Sequence, residues 1–240
     1  MASGPRATIP TTGAAKLQSI FVPRFVTHGG KSKELLKLTQ FIGGIVLCGG
    51  RSSRMGQPKL SLPFGSETML LRVVRILAEV VSPIVVVAAH NQELPELPCK
   101  THVVRDEHEY LGPLAGIERG LSVLRDLGAQ AAYVSSCDVP LLRPTFIAEI
   151  VRRLKSHELA VPREGEFHHP LAGVYRTSLV ERVHSLVAQE RLRPLFLIQE
   201  SDSVEIPVDE LRGVDPELQS LRNVNRPEDY AAVLQLAGLA

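Results

Sequence analysis

Ile45-Val46-Leu47-Cys48-Gly49-Gly50-Arg51-Ser52-Ser53-Arg54-Met55-Gly56-Gln57-Pro58-Lys59 opens on a short apolar run and breaks into glycines and bases. The run reads as a buried β-strand. Two adjacent glycines let the chain turn sharply and bring bare backbone N–H groups against a ligand. Arg51, Arg54 and Lys59 add three cations within nine residues, with no acid among them. That combination suits a di- or triphosphate. It is neither a Walker loop, since no Gly-Lys-Ser/Thr follows at the required spacing, nor the Gly-x-Gly-x-x-Gly of dinucleotide-binding folds. A strand-end turn followed by a solvated basic loop is the plainer reading of the same residues.

Outward from this stretch, strand and helix signals alternate. Thr68–Leu77 carries apolar residues at helical spacing, with Arg72, Arg75 and Glu79 on the other face. Ile84–Ala89 is a continuous, β-branched run of the kind that forms a strand covered on both faces. Thr101–Arg105 repeats the strand signal, residues 112–127 form a helix opened by Gly-Pro, and Ala131–Ser136 is another strand. Pro144–Lys155 is a further helix, with Pro144 suited to its first turn. Such alternation predicts an α/β fold: a mostly parallel sheet flanked by helices. Later in the chain, Leu159–Pro162 and Leu171–Tyr175 read as strands separated by the polar turn Arg163–His169. Ser178–Gln189 and Pro194–Glu200 read as helices, Val204–Pro207 as a short strand and Pro227–Leu236 as the last helix.

At 240 residues and 44% apolar, the chain can bury a core as one domain. A net charge of +1 argues against a general nucleic-acid binder, so the basic loop is a local feature. No apolar run approaches a membrane span. Three cysteines without a C-x-x-C suggest neither a disulfide framework nor a thiolate metal site, and a cytoplasmic location is expected. Residues 1–40 are rich in Ser, Thr, Gly and bases and are expected to be a disordered extension, with a short helix around Lys33–Gln40. Residues 41–240 are expected to form the single folded domain.

Leu-x-Gly-Gly-x-Ser-x-Arg-Met-Gly-x-x-Lys closely resembles the loop of nucleotidyltransferases, in particular molybdenum cofactor guanylyltransferases. The resemblance runs from about Gly44 to the C-terminus. It implies a Rossmann-like nucleotidyltransferase fold and transfer of GMP from GTP to molybdenum-molybdopterin, with release of pyrophosphate and Mg²⁺ as cofactor. It also implies transient contact with molybdoenzymes or other cofactor-biosynthesis proteins. The loop Leu47, Cys48, Gly49, Gly50 to Lys59 would hold the triphosphate. Cys48 departs from the usual Ala of the motif.

Ligands of open parallel sheets sit at the carboxyl ends of strands. Asp138, in Cys137-Asp138-Val139-Pro140 after a predicted strand, faces the basic loop and suits Mg²⁺, which takes few carboxylates plus phosphate oxygens. An Asp in a turn or cap is its plainer reading, and the resemblance makes it the metal-binding Asp. Asp106 could accept hydrogen bonds from a base edge or ribose. For an isolated Asp a solvated loop position is the better reading, but its place before Gly112-Pro113-Leu114-Ala115-Gly116 resembles the family's nucleotide-contacting Asp. Gly112, Ala115 and Gly116 suit both helix entry and close approach to a ligand.

Lys59 is the cation assigned to chemistry, because a fixed ammonium stabilises charge developing in attack on an α-phosphate. Arg54 is assigned to the leaving pyrophosphate, and Arg51 to solvent. Adjacent His168 and His169 would point to opposite faces of a strand and not share a metal. His169 suits either acceptor contact or a rim position. Asn225 reads equally as a ligand and as a helix cap. Where the family often has an Asn after Ile84–Ala88, this chain has Ala89-His90-Asn91, so His90 or Asn91 substitutes or the contact is lost. Transfer of CMP to the same pterin, transfer to a sugar or polyol phosphate, and a non-catalytic nucleotide sensor are the competing readings.

Overall fold

The computed structural model describes residues 42–49, 58–106 and 112–240. The expectations for residues 1–40, Gly50, Arg51 and Arg54 lie outside them. Ten strands and six α-helices follow one another in the described residues. In chain order they are β1 (Ile42–Leu47), β2 (Pro63–Phe64), β3 (Glu67–Thr68), α1 (Met69–Ala78), β4 (Ile84–Ala89), β5 (Thr101–Asp106) and α2 (Pro113–Asp126). Then come β6 (Ala131–Ser136), α3 (Pro144–Leu154), β7 (Leu159–Glu164), β8 (Phe167–His168), β9 (Val174–Arg176), α4 (Val180–Ala188), α5 (Pro194–Gln199), β10 (Ser203–Pro207) and α6 (Pro227–Leu236).

The main sheet runs β10-β7-β9-β6-β1-β4-β5, with β8 paired to β7. β1 is parallel to both β4 and β6, and β4 to β5. β9 is the exception, antiparallel to β6 and β7. Because β1 is central, its side chains alternate between two apolar layers. Ile42 and Val46 join the layer containing Leu70, Val73, Phe146 and Ile150, from α1 and α3. Ile45 and Leu47 join the layer containing Leu114, Ile117, Leu121 and Val183, from α2 and α4. That period of two, with every β1 residue buried, is the physical reason for the unbroken apolar run.

Four expectations need correction. Leu171–Tyr175 is not one strand: Pro170–Ala172 forms a 3-10 turn, closed by Ala172 N donating to His169 O, and pairing begins only at Val174. Arg163–His169 is not simply a turn either. Gly165, at φ +56°, allows a tight reversal after which Phe167 and His168 pair back on β7. α3 stops at Leu154, with Lys155 at φ +44° beyond it. The helix expected from Ser178 starts as a 3-10 turn over Thr177–Leu179 and becomes α-helical at Val180.

The chain passes from β1 to β4 and β5 on one side and returns through α2 to β6 on the other. Strand order therefore reverses at β1, between β4 and β6. A crevice at the carboxyl ends of the strands is the expected ligand position in such a sheet.

Candidate functional site

Parallel pairing brings the carboxyl ends of β6, β1, β4 and β5 to one edge. Leu47 is in register with Ser136, and Ala89 with Asp106. The residues following these strands therefore converge. Leu47 O accepts from Cys137 N at 3.1 Å, and Cys48 N donates to Val87 O at 2.8 Å, so the start of the glycine turn is anchored on both flanks. The Leu47 and Cys48 side chains are buried, whereas Gly49 is exposed. The side chain of Leu47 lies against α2, where a Cβ on Gly116 would stand 3.1 Å from Leu47 Cδ2. Helix-on-strand packing thus accounts for Gly116. Gly112 precedes α2 at φ +77°, ψ −176°, a conformation essentially reserved for glycine.

Lys59 and Asp138 meet across the turn, with Nζ 3.3 Å from Oδ2, and both side chains are largely buried. Lys59 Nζ also donates to Asn225 Oδ1 at 2.8 Å. Asp138 Oδ1 accepts from Ser136 Oγ at 2.5 Å and from Asn223 Nδ2 at 3.0 Å. One carboxylate oxygen is thus held by neutral donors while the other faces the lysine. Among the described residues no cluster of three or more His, Cys, Asp and Glu side chains could chelate a metal by itself. The arrangement instead offers one anchored carboxylate beside a fixed ammonium, which suits a dication whose remaining ligands are phosphate oxygens and water.

Asn225 is not the helix cap. Asp229 Oδ2 accepts from the backbone N–H groups of both Asn225 and Arg226, each at 2.9 Å. These bonds, first that from Asn225, hold the Asp229 carboxyl below its ordinary range. With the cap supplied by Asp229, the Asn225 amide is left to Lys59. Val224 N donates to Asp138 O at 2.8 Å, tying the same segment to the loop after β6.

Asp106 ends β5, three strands from β6. At about 4.8 Å per strand that is a lateral step of about 14 Å.

Among the described residues, neither His90 nor Asn91 bonds to Leu47, Cys48 or Gly49 at the start of the glycine turn, and both are exposed. Gln92 does reach it. Its Nε2 donates to Cys48 O at 2.9 Å and its Oε1 accepts from Ala89 N at 3.1 Å. Arg105 Nη1 then donates to Ala89 O and Gln92 O, at 3.1 and 2.5 Å. Sequence reasoning missed Gln92. The available signal was a second amide side chain, beside Asn91, just past the carboxyl end of a buried strand. His168 and His169 diverge as expected, with His168 Nε2 3.1 Å from Glu205 Oε2 and His169 Nε2 3.8 Å from Glu164 Oε2. Cys48 is held protonated by the thiol of Cys137 and by burial, which raise its pKa well above the ordinary value.

Residues 44–204 match the family model of the MobA-like NTP transferase domain. A Mycobacterium avium protein named "Probable molybdenum cofactor guanylyltransferase" is 39% identical over 198 residues, 81% of this chain and 95% of that protein. The molybdopterin-guanine dinucleotide biosynthesis protein A of Archaeoglobus fulgidus shares the fold at a TM-score of 0.67 and 20% identity, covering 82% of this chain and all of that one. A 2-C-methyl-D-erythritol 4-phosphate cytidylyltransferase of Thermus thermophilus also superposes, at a TM-score of 0.60 and 14% identity over 81% of this chain and 98% of its own. The fold is therefore common to transferases named for different bases.

Proposed function

This chain belongs to the MobA-like NTP transferase family, and we propose that it transfers GMP from GTP to molybdenum-molybdopterin, forming molybdopterin guanine dinucleotide and pyrophosphate. One observation carries the residue assignment: Lys59, Asp138, Asn223 and Asn225 meet where the strand order reverses. The choice of guanine and of the pterin is supported by the relatives' names, which cover most of this chain.

In this reading the glycine turn, from Leu47 through Cys48, Gly49 and Gly50, presents backbone to the triphosphate. Arg54 takes the departing pyrophosphate. A terminal phosphate oxygen of the pterin attacks the α-phosphorus in line. A new P–O bond forms as the bond to the bridging oxygen breaks, and the electron pair leaves on pyrophosphate. A phosphate monoester is already largely ionised at neutral pH, so the step needs no strong general base. Lys59 stabilises charge gathering on the oxygens of the α-phosphate. Because Asp138 and Asn225 already hold its ammonium, little reorganisation accompanies the reaction. Asp106 orients the nucleoside.

Asp138 would hold Mg²⁺ through its carboxylate. The ion, when bound, would offset the negative charge of the phosphates. Residues 41–240 form the catalytic unit in this proposal. The free thiols Cys48, Cys99 and Cys137 suit the reducing cytoplasm, and no helix among the described residues is long and apolar enough to cross a membrane. Product would pass to molybdoenzymes or other cofactor-biosynthesis proteins by transient contact.

The test is pyrophosphate release with Mg²⁺ and molybdenum-loaded molybdopterin, with GTP and CTP offered separately and Asp138→Ala assayed in parallel. Release with GTP alone, lost in the variant, is the expected result. Preference for CTP would keep the mechanism and overturn the product. No release with either nucleotide would overturn the function.

A further inference from the structure

The segment that brings Asn223 and Asn225 into the site has little regular structure of its own. Between β10 and α6 it forms only the 3-10 turns Val208–Leu211 and Gln219–Leu221. A path so irregular is not set by strand pairing or by a helix axis, so individual side-chain and backbone contacts fix it. Asp215 is the one acid fully buried among the described residues, at 0% exposure. Burying a carboxylate is costly unless it is paired and hydrogen-bonded, which points to a specific use.

The partners of Asp215 lie on both sides of one seam. Its Oδ2 accepts from Ser220 N at 2.7 Å, closing its own loop. Its Oδ1 lies 3.4 Å from Arg143 Nε, an ion pair without a hydrogen bond. Arg143 stands just before α3, five residues after Asp138. Its backbone N–H donates to Ser220 Oγ at 3.1 Å, and its Nη2 donates to Gln219 Oε1 at 3.0 Å. The segments 138–143 and 215–225 are therefore joined twice. One junction is this clasp, buried at Asp215 and half-exposed at Arg143, and the other is Val224 N to Asp138 O with Asn223 on the Asp138 carboxylate. Val224 itself is fully buried, against the group containing Leu62, Leu141 and Val233.

We propose that Asp215, acting through Arg143 and Ser220, is a positioning residue that sets where residues 223–225 cross the end of β6. It touches no substrate. It fixes the distances from Asn223 to Asp138 and from Asn225 to Lys59. Its catalytic consequence rests on the function proposed above, while its structural consequence can be read without any turnover.

Asp215→Ala and Asp215→Asn are compared with the unsubstituted full chain by amide hydrogen exchange and by pyrophosphate release. In Asp215→Ala the Val224 amide exchanges at least about tenfold faster, while the sheet amides of Val46 and Val134 keep their rates. The kcat falls about 10- to 100-fold, as for a displacement of about an ångström, and KM for GTP changes much less. Asp215→Asn, which keeps an oxygen for Ser220 N, recovers part of both losses. In the Asn225→Ala background, Asp215→Ala causes little further loss of kcat, because the two act through one contact. Should Asp215→Ala fail to fold, Ser220→Ala, which removes only the oxygen that Arg143 N donates to, shows the same pattern in weaker form. Unchanged Val224 exchange, equal acceleration at Val46 and Val134, or losses that multiply in the double variant would each overturn the proposal. If Asn225→Ala alone left turnover intact, the functional reading of the site would fail, and the Val224 amide would still decide the clasp.

Discussion

Lys59 and Asn225 stand 166 positions apart in the chain, and the ammonium of the first donates to the side-chain oxygen of the second at 2.8 Å. The contact joins the lysine that ends the basic glycine-turn stretch to the entry of the last helix. It also orients a cation that would otherwise sweep through many rotamers. With Asp138 3.3 Å away on the other side, the ammonium is held between a full and a partial negative charge.

Replacing Lys59 by Met should lower kcat on the order of 10²- to 10³-fold, the loss typical of one preorganised charge-stabilising group. Lys59→Arg should not restore it, because a planar guanidinium cannot take the place of a compact ammonium between these two oxygens. Steady-state pyrophosphate release checks both variants. Turnover close to that of the unsubstituted chain would count against the assigned role.

Gln92→Ala removes the bonds to Cys48 O and Ala89 N. Two partly exposed hydrogen bonds together contribute about 1–2 kcal/mol, so urea unfolding should show a modest loss of stability. A larger effect is expected on KM for GTP, because the lost bonds tether the loop beside the glycine turn. His90→Ala should leave KM nearly unchanged, and the reverse order of effects would contradict this assignment.

Gly43→Ala tests the packing beneath the site. A Cβ there would stand 2.5 Å from Leu124 Cδ2 and 2.9 Å from Pro83 O. The Pro83 carbonyl cannot easily withdraw, since it already accepts from Gly44 N at 2.9 Å. Overpacking of this kind costs about 1–3 kcal/mol, and for a chain of this size each kcal/mol lowers Tm by about 2–4 °C. Gly213→Ala, with nothing within 4 Å of the added carbon, should leave Tm in place. Thermal unfolding of the two variants decides the matter.

Burial lowers the pKa of His169 from its ordinary 6.5, and the charge of His168 adds to the shift while Glu164 opposes it. The folded chain therefore stays neutral here at pH values where the unfolded chain takes up a proton. The stability from neutral His169 is complete above the unfolded value and is lost as pH falls from there through the lowered folded value. Glu67, held low chiefly by its hydrogen bond from Arg75, acts in a separate and more acidic window. Its contribution is present above its unfolded pKa of 4.5 and lost below it. Urea midpoints measured downward from neutral pH should decline in the first window, and His169→Gln should flatten that decline without changing the second.

Much of this organisation is legible in the sequence. Ile84–Ala89 and Ala131–Ser136 are strands with the bounds that their apolar runs mark. Pro227–Leu236 is likewise the helix its pattern predicts. Periods of two and near four report which faces are buried, and that information is local. Lys59 and Asp138 were visible as candidates because each stands beside a local signal, the glycine turn for one and a strand end for the other. The break at Pro170 was less legible, because the residues after it are apolar enough to pass for strand, and only pairing with β6 shows where β9 begins.

The sequence by itself determined the alternating α/β order, the basic glycine turn and the placement of polar residues after buried strands. Tertiary structure decided which of those polar residues meet. It assigned the cap of α6 to Asp229 and so released Asn225 to Lys59. It brought Gln92 to the turn and buried Asp215 against Arg143. Spacing along a chain governs faces and turns within one element. Contacts between residues far apart depend on strand order and on how the layers pack, and neither is written in any single stretch.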